Sequence, residues 1–285
     1  MTSHRYRALG PHGFHWVHYT QWGDAANPKV LMCAHGLTRT GRDFDFLAAA
    51  LEHEYRVICP DVAGRGQSDW LPDKLDYGYP LYVSDMAALL ARIDAQRLDW
   101  IGTSMGGLIG MFLASYANTP IHRLVVNDVG PRIPAAGLKR VADYVGQVVA
   151  FDSIDDMDRA LRIFAAPFGK LTDEQWRHMI VHSARQLEDG RYASAYDPGI
   201  AESFKGLAIK DIELWPVWDA IRCPTLVLRG AYSDVLDRAD ALAMTERGPK
   251  AKLIEFPGMG HAPALMADDQ IAVVRDWLLA DCTAP

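Results

Sequence analysis

A serine becomes a nucleophile only where the backbone bends sharply enough to expose its hydroxyl and a base stands ready to take the proton. The string Gly102-Thr103-Ser104-Met105-Gly106-Gly107 fits the first demand. It holds Gly-x-Ser-x-Gly, follows a short apolar run (Leu98 to Thr103) with strand character, and opens a helical stretch at Met105. Small flanking residues let the chain turn without clashes, and the helix start brings free N–H groups and a positive dipole end to a developing negative charge. Without the strand and the helix, the same pentapeptide would read as a glycine-rich packing turn.

The base should be histidine, which titrates near neutrality. Of ten histidines, His261 sits in a glycine-containing turn just past the last predicted strand, Ala251 to Gly258. Loops gather there at the C-terminal edge of a wound sheet. His4, His12, His15 and His18 read as strand or surface residues. His178 and His182 lie one helical turn apart, a spacing that can hold a metal. No carboxylate motif accompanies them, so a solvated helix face is expected and no metal is assigned. The third member of a serine–histidine pair is a carboxylate that orients the imidazole. Two aspartates near the ends of apolar runs are candidates, Asp234 after Thr225 to Gly230 and Asp128 near the end of His122 to Val129.

The elements that would carry these groups alternate. Apolar runs at Val30–Gly36, Tyr55–Asp61, Leu98–Thr103 and His122–Val129 read as strands. Helical spacing appears between them, with Phe44, Leu47 and Leu51, then Met86, Leu89, Leu90 and Ile93. Strand and helix in short alternation imply a mainly parallel sheet covered on both faces. From about Gly130 to Trp215 strand signals vanish and helical stretches dominate; sheet order returns with Cys223–Gly230 and Ala251–Gly258, and a last helix spans Asp268 to Leu279. The expected organisation is a core of residues 1–130 and 216–285, interrupted by a helical cap at 131–215. Tyr144, Phe151, Phe164, Phe168, Trp176, Tyr192, Tyr196 and Phe204 give that cap aromatic side chains for packing onto the core and closing a pocket.

Four motifs in order, HGLTRTG at His35, DVAGRGQSD at Asp61, GTSMGG at Gly102 and GMGHAP at Gly258, make the chain resemble α/β-hydrolases of the serine-esterase kind along nearly its whole length. The resemblance implies the α/β-hydrolase fold, a mainly parallel central sheet flanked by helices with a helical cap insertion. It also implies a triad of Ser104, Asp234 and His261, in the chain order usual for the fold, with Asp128 as the alternative acid. The oxyanion donors it implies are the N–H groups of Met105 and Leu37. His35 and Gly36 would shape the Leu37 loop, with His35 a structural histidine. Arg39 either points into the site to grip a substrate carboxylate or is a salt-bridged surface arginine. The Gly64–Asp69 string lacks the third glycine of a dinucleotide fingerprint and is a structural turn, so no cofactor is assigned.

Composition limits the partners. A formal charge of −7 disfavours nucleic acid and anionic membranes and makes a small neutral or weakly charged molecule the easier partner; the resemblance implies that this is an ester-like substrate. Cys33, Cys59, Cys223 and Cys282 have neither CxxC nor metal spacing and read as reduced thiols. The N-terminus shows no apolar stretch of signal-peptide length, and a cytoplasmic setting is the expectation. The reading is hydrolysis of a small carboxylic ester, or a related lactone, thioester or amide, through an acyl-enzyme. A C–C bond hydrolase is an alternative, although such relatives typically carry Trp after the catalytic histidine where Ala262 and Pro263 stand here. A cofactor-free haloperoxidase is a second alternative. A ligand-binding receptor on the same fold is a third, separable by turnover. The oligomeric state is not legible.

Overall fold

A strand buried on both faces needs apolar side chains at odd and even positions alike, and the five residues of β3 (Val30–Ala34) are all buried. Leu31 and Cys33 face one layer of the core while Val30, Met32 and Ala34 face the other. The computed structural model describes residues 1–205 and 209–280, and of Phe164 only the backbone. In chain order, β1 (Thr2–Gly10) and β2 (Gly13–Trp22) form an antiparallel hairpin, followed by β3. Next come α1 (Asp45–Leu51), β4 (Arg56–Pro60), α2 (Tyr79–Arg92), β5 (Leu98–Thr103), α3 (Met105–Ser115) and β6 (Ile121–Asn127).

The chain then leaves the sheet. Residues between β6 and β11 (Thr225–Gly230) carry β7 (Arg132–Ile133), α4 (Ala135–Tyr144), α5 (Ile154–Phe164) and α6 (Asp173–Ser183). They also carry the hairpin of β8 (Ala184–Gln186) and β9 (Tyr192–Ser194), then β10 (Ile212–Glu213) and α7 (Trp215–Ala220). After β11 the sheet closes with α8 (Arg238–Glu246), β12 (Lys252–Phe256) and α9 (Asp268–Leu279).

Among the described residues the main sheet has eight strands in the order β1-β2-β4-β3-β5-β6-β11-β12. All neighbours from β4 to β12 pair in parallel; β1 and β2 add an antiparallel edge. This is the α/β-hydrolase fold. The sequence shows no strands between Gly130 and Trp215, whereas among the described residues the structure has four of two or three residues there, too short to imprint a period. β7 and β10 pair where the segment leaves the core and returns to it.

Two core layers sandwich the sheet. One packs α2 and α3 residues such as Met86, Leu89 and Ile109 against Trp100 and Val126; the other packs Leu47, Leu51, Val274 and Leu278 from α1 and α9 against Val57, Ile101 and Val125. Each such buried side chain contributes roughly 1.5–3 kcal/mol relative to an exposed one. A third cluster joins Ala165, Trp176 and Met179 of the intervening segment to Met266. Cys33 and Cys59 are buried free thiols, Cys223 is half-buried, and Cys282 lies outside the described residues. Among the described residues no helix is long and apolar enough to cross a membrane.

Candidate active site

The turn between β5 and α3 explains its glycines. Ser104 has φ +51° and ψ −112°, a conformation that non-glycine residues rarely adopt. Its N–H donates to the Asn127 carbonyl at 2.9 Å, tying the turn to the neighbouring strand. A Cβ on Gly106 would stand 2.0 Å from the Ala34 oxygen, and one on Gly102 would stand 2.1 Å from the Gly106 oxygen. The helix therefore starts directly against β3. Trp100 locks it further, donating from Nε1 to the Gly106 carbonyl at 3.1 Å.

Ser104 Oγ lies 2.9 Å from His261 Nε2, and His261 Nδ1 lies 2.9 Å from Asp128 Oδ2. Nδ1–H donating to the carboxylate leaves Nε2 free to accept the serine proton, the relay that general-base activation requires. Asp128 is fully buried, and its other oxygen accepts the Gly230 N–H at 2.8 Å. With φ +59°, the residue turns its carboxylate from the end of β6 toward the histidine loop. Asn127 beside it donates to Thr103 Oγ1 and to the Pro263 carbonyl, bridging the serine strand and the histidine loop.

The expected acid, Asp234, is not the residue that meets His261. Its carboxylate is held bidentately by Arg140 of α4, at 2.5 and 2.9 Å. Burial alone would raise its pKa, but the guanidinium overrides that and holds it below the usual carboxylate range. The physical reason is local geometry. β6 and β11 are neighbours and both end at this edge, so each offers an aspartate near His261. Asp128 follows its strand directly, whereas Asp234 stands four residues past Gly230, beyond a turn closed by Ser233 N–H on the Gly230 carbonyl.

Met105 is the first residue of α3, and so its N–H belongs to the helix's first turn, which has no intrahelical acceptor. Leu37 lies in the loop after β3, and Arg65 Nε donates to its carbonyl at 2.8 Å. Arg65 is fully buried. It also reaches the Ala63 carbonyl, the Tyr82 hydroxyl and Met105 Sδ, so one side chain braces both sides of the serine turn. Sequence reading left Arg65 inside a structural turn; an arginine amid glycines there was the available signal. Gly64 and Gly66 of that turn also bind the segment between β6 and β11, through the Gly64 carbonyl to Asp197 N–H and Gly66 N–H to the Ala195 carbonyl.

His35 is fully buried and structural. Its Nδ1–H donates to the Gly36 carbonyl at 2.7 Å, and its Nε2 accepts the Val62 N–H at 2.9 Å. Burial pushes its pKa down to about 4, only partly countered by Asp61. Arg39 forms a bidentate pair with Asp43 at 2.8 and 2.6 Å, yet both line a pocket with His35, Thr103, Phe168 and Ala262. His178 and His182 depart from a solvated face. His178 packs edge-on against Phe46, 5.1 Å between ring centres, and donates to the Arg42 carbonyl.

A model of the alpha/beta hydrolase family matches residues 30–275. A 3-hydroxybutyrate-oligomer hydrolase from Cupriavidus necator is 44% identical over 279 residues, covering 95% of each chain. A 2-hydroxy-6-oxo-2,4-heptadienoate hydrolase from Pseudomonas putida is 25% identical, covering 90% of this chain and 91% of its own. Among solved structures, an alpha/beta hydrolase from Novosphingobium aromaticivorans superposes with a TM-score of 0.86 at 36% identity, over 97% of this chain and 98% of that one.

Proposed function

The chain belongs to the alpha/beta hydrolase family, and from that premise we propose that it hydrolyses short oligoesters of a 3-hydroxy acid through an acyl-enzyme on Ser104. The carrying observation is the continuous hydrogen-bonded path from Ser104 Oγ through His261 to buried Asp128. The substrate class follows the 44% identical relative, which is matched over 95% of each chain.

The ester carbonyl lies against Ser104 with its oxygen toward the N–H groups of Met105 and Leu37. His261 takes the serine proton as the oxygen attacks the carbonyl carbon, and Asp128 stabilises the imidazolium. The same proton then passes to the alkoxide of the leaving hydroxy acid as the C–O bond breaks. Water, deprotonated by His261, attacks the acyl carbon; collapse returns the proton to Ser104 and frees the second acid. Residues 131–215 form the lid, with Phe168 and Met179 on the pocket wall. Oligomers of this kind end in a carboxylate, and Arg39 can receive it by exchanging its Asp43 partner.

The C–C hydrolase reading has the Pseudomonas relative in its favour, but at lower identity. A panel separates the two: 3-hydroxybutyrate dimer and trimer, p-nitrophenyl esters and a vinylogous diketone, with Ser104→Ala as blank. Turnover of the oligoesters by the native chain alone supports the proposal. Cleavage of the diketone with no ester turnover, or a folded Ser104→Ala protein of undiminished rate, overturns it.

A further inference from the structure

Away from the serine turn, α1 begins at Asp45 and faces α6 across the edge of the pocket. Asp45 is 5% exposed. Its Oδ2 is held by Arg42, and the His178 Nε2 lies 3.3 Å from that same oxygen. Its Oδ1 is buried with no hydrogen-bond partner. A buried carboxylate oxygen left unsatisfied is destabilising, so an orphan of this kind asks for a ligand. On the facing helix, His178 and His182 stand one turn apart with ring centres 4.4 Å from each other. One ligand atom from each of Asp45, His178 and His182 lies within 4.8 Å of the other two.

We infer that Asp45, His178 and His182 form a binding site for one divalent transition-metal ion of the zinc class. Two imidazoles and one carboxylate are the donor set that such ions prefer over magnesium or calcium, which favour oxygen. Three protein ligands leave a fourth position to water. The i, i+4 spacing puts both imidazoles on one helix face, and Asp45 supplies the third donor from a different element. Arg42 stays on Oδ2, leaving the orphan Oδ1 to the metal. To ligate through Nε2, His178 gives up its Nε2–H bond to the Arg42 carbonyl and carries its ring proton on Nδ1 instead. The Arg42 charge opposes the cation and sets a moderate affinity. A bound ion ties α6 to the start of α1, next to the pocket residues Phe44 and Met179.

A second grouping, His12 with Asp73 and Asp76, serves as control. It is exposed, and His12 Nδ1 is already paired with Asp76 at 2.8 Å. The test is isothermal titration of the chelator-stripped full chain with zinc chloride near neutral pH, repeated with cobalt(II) and read by its visible absorption. Neither readout involves turnover, so the result stands apart from the hydrolase proposal. The expected result is one ion per chain, with affinity reduced about tenfold or more in His182→Gln and in Asp45→Asn and unchanged in His12→Gln. His182 is half-exposed, so His182→Gln keeps the question open to refutation should Asp45→Asn fail to fold. Absence of binding by the native chain, native affinity in His182→Gln, or a loss that follows His12→Gln overturns the site.

Discussion

Lowering the pH should unfold this protein earlier than its carboxylates alone would require, because of His35. The ring is fully buried, donates from Nδ1 and accepts at Nε2, so protonating Nε2 breaks the bond from Val62 N–H and buries a charge. Its pKa falls from the ordinary 6.5 to about 4. A depressed value means that the stabilising contribution is fully present above pH 6.5 and drains away as pH falls toward 4. At about pH 4.5 the loss from this group is roughly 2–3 kcal/mol, a large part of a typical domain's stability. His122 and His182 are also depressed and add to the slope. His15, paired with Asp85, and His178, paired with Asp45 against the opposing effect of burial, are raised, so their contributions are lost above 6.5 and complete below it, in the native chain and the variant alike. Urea unfolding of the native chain and of His35→Asn, at about pH 7.5 and 4.5, isolates the term. The native protein should lose roughly 2–3 kcal/mol more than the variant over that interval. Equal acid losses in the two proteins, or a native stability that does not change, would refute the reasoning.

Gly106→Ala should destabilise the fold by at least about 1–3 kcal/mol, since its Cβ meets the Ala34 oxygen at 2.0 Å and α3 must back away from β3; denaturant melts read the first effect, and a drop in ester kcat reads the displacement of Ser104. Arg65→Met should leave the Leu37 and Ala63 carbonyls without their donor, at about 1–3 kcal/mol each. If the Leu37 loop holds an oxyanion donor, the ester kcat of that variant falls more than its KM rises; an unchanged kcat in a folded variant would remove Arg65 from the account. Arg39→Ala should raise KM for a 3-hydroxybutyrate trimer while leaving that for an uncharged p-nitrophenyl ester nearly unchanged, and an equal effect on both would count against carboxylate recognition.

The parallel core was legible because β3, β5, β6 and β11 are buried on both faces and therefore appear as short, mainly apolar runs without strict alternation. The Ser104 turn stood out because close backbone approach demands its Gly102 and Gly106, and His261 because it follows the last strand of the sheet, in a turn with Gly258 at φ +74°. The acid was not legible. Asp128 and Asp234 share chemistry and an end-of-strand position, and what separates them is non-local: a left-handed backbone at one, and Arg140 from α4 at the other. Strands of two and three residues in the segment after β6 are too short for any period. The carboxylate that joins His178 and His182 comes from Asp45, on an element remote in the sequence, so no local motif announces it.

The central claim is that Asp128, rather than Asp234, serves the histidine that activates Ser104. Steady-state hydrolysis of a p-nitrophenyl ester by Asp128→Asn and Asp234→Asn, each checked for folding by circular dichroism, tests it most directly. The account predicts a fall in kcat on the order of 10³- to 10⁴-fold for Asp128→Asn, from loss of the imidazole tautomer and of the charge beneath it. For Asp234→Asn it predicts a change of no more than a few-fold. A collapse of the rate in Asp234→Asn with near-native turnover in Asp128→Asn would contradict it.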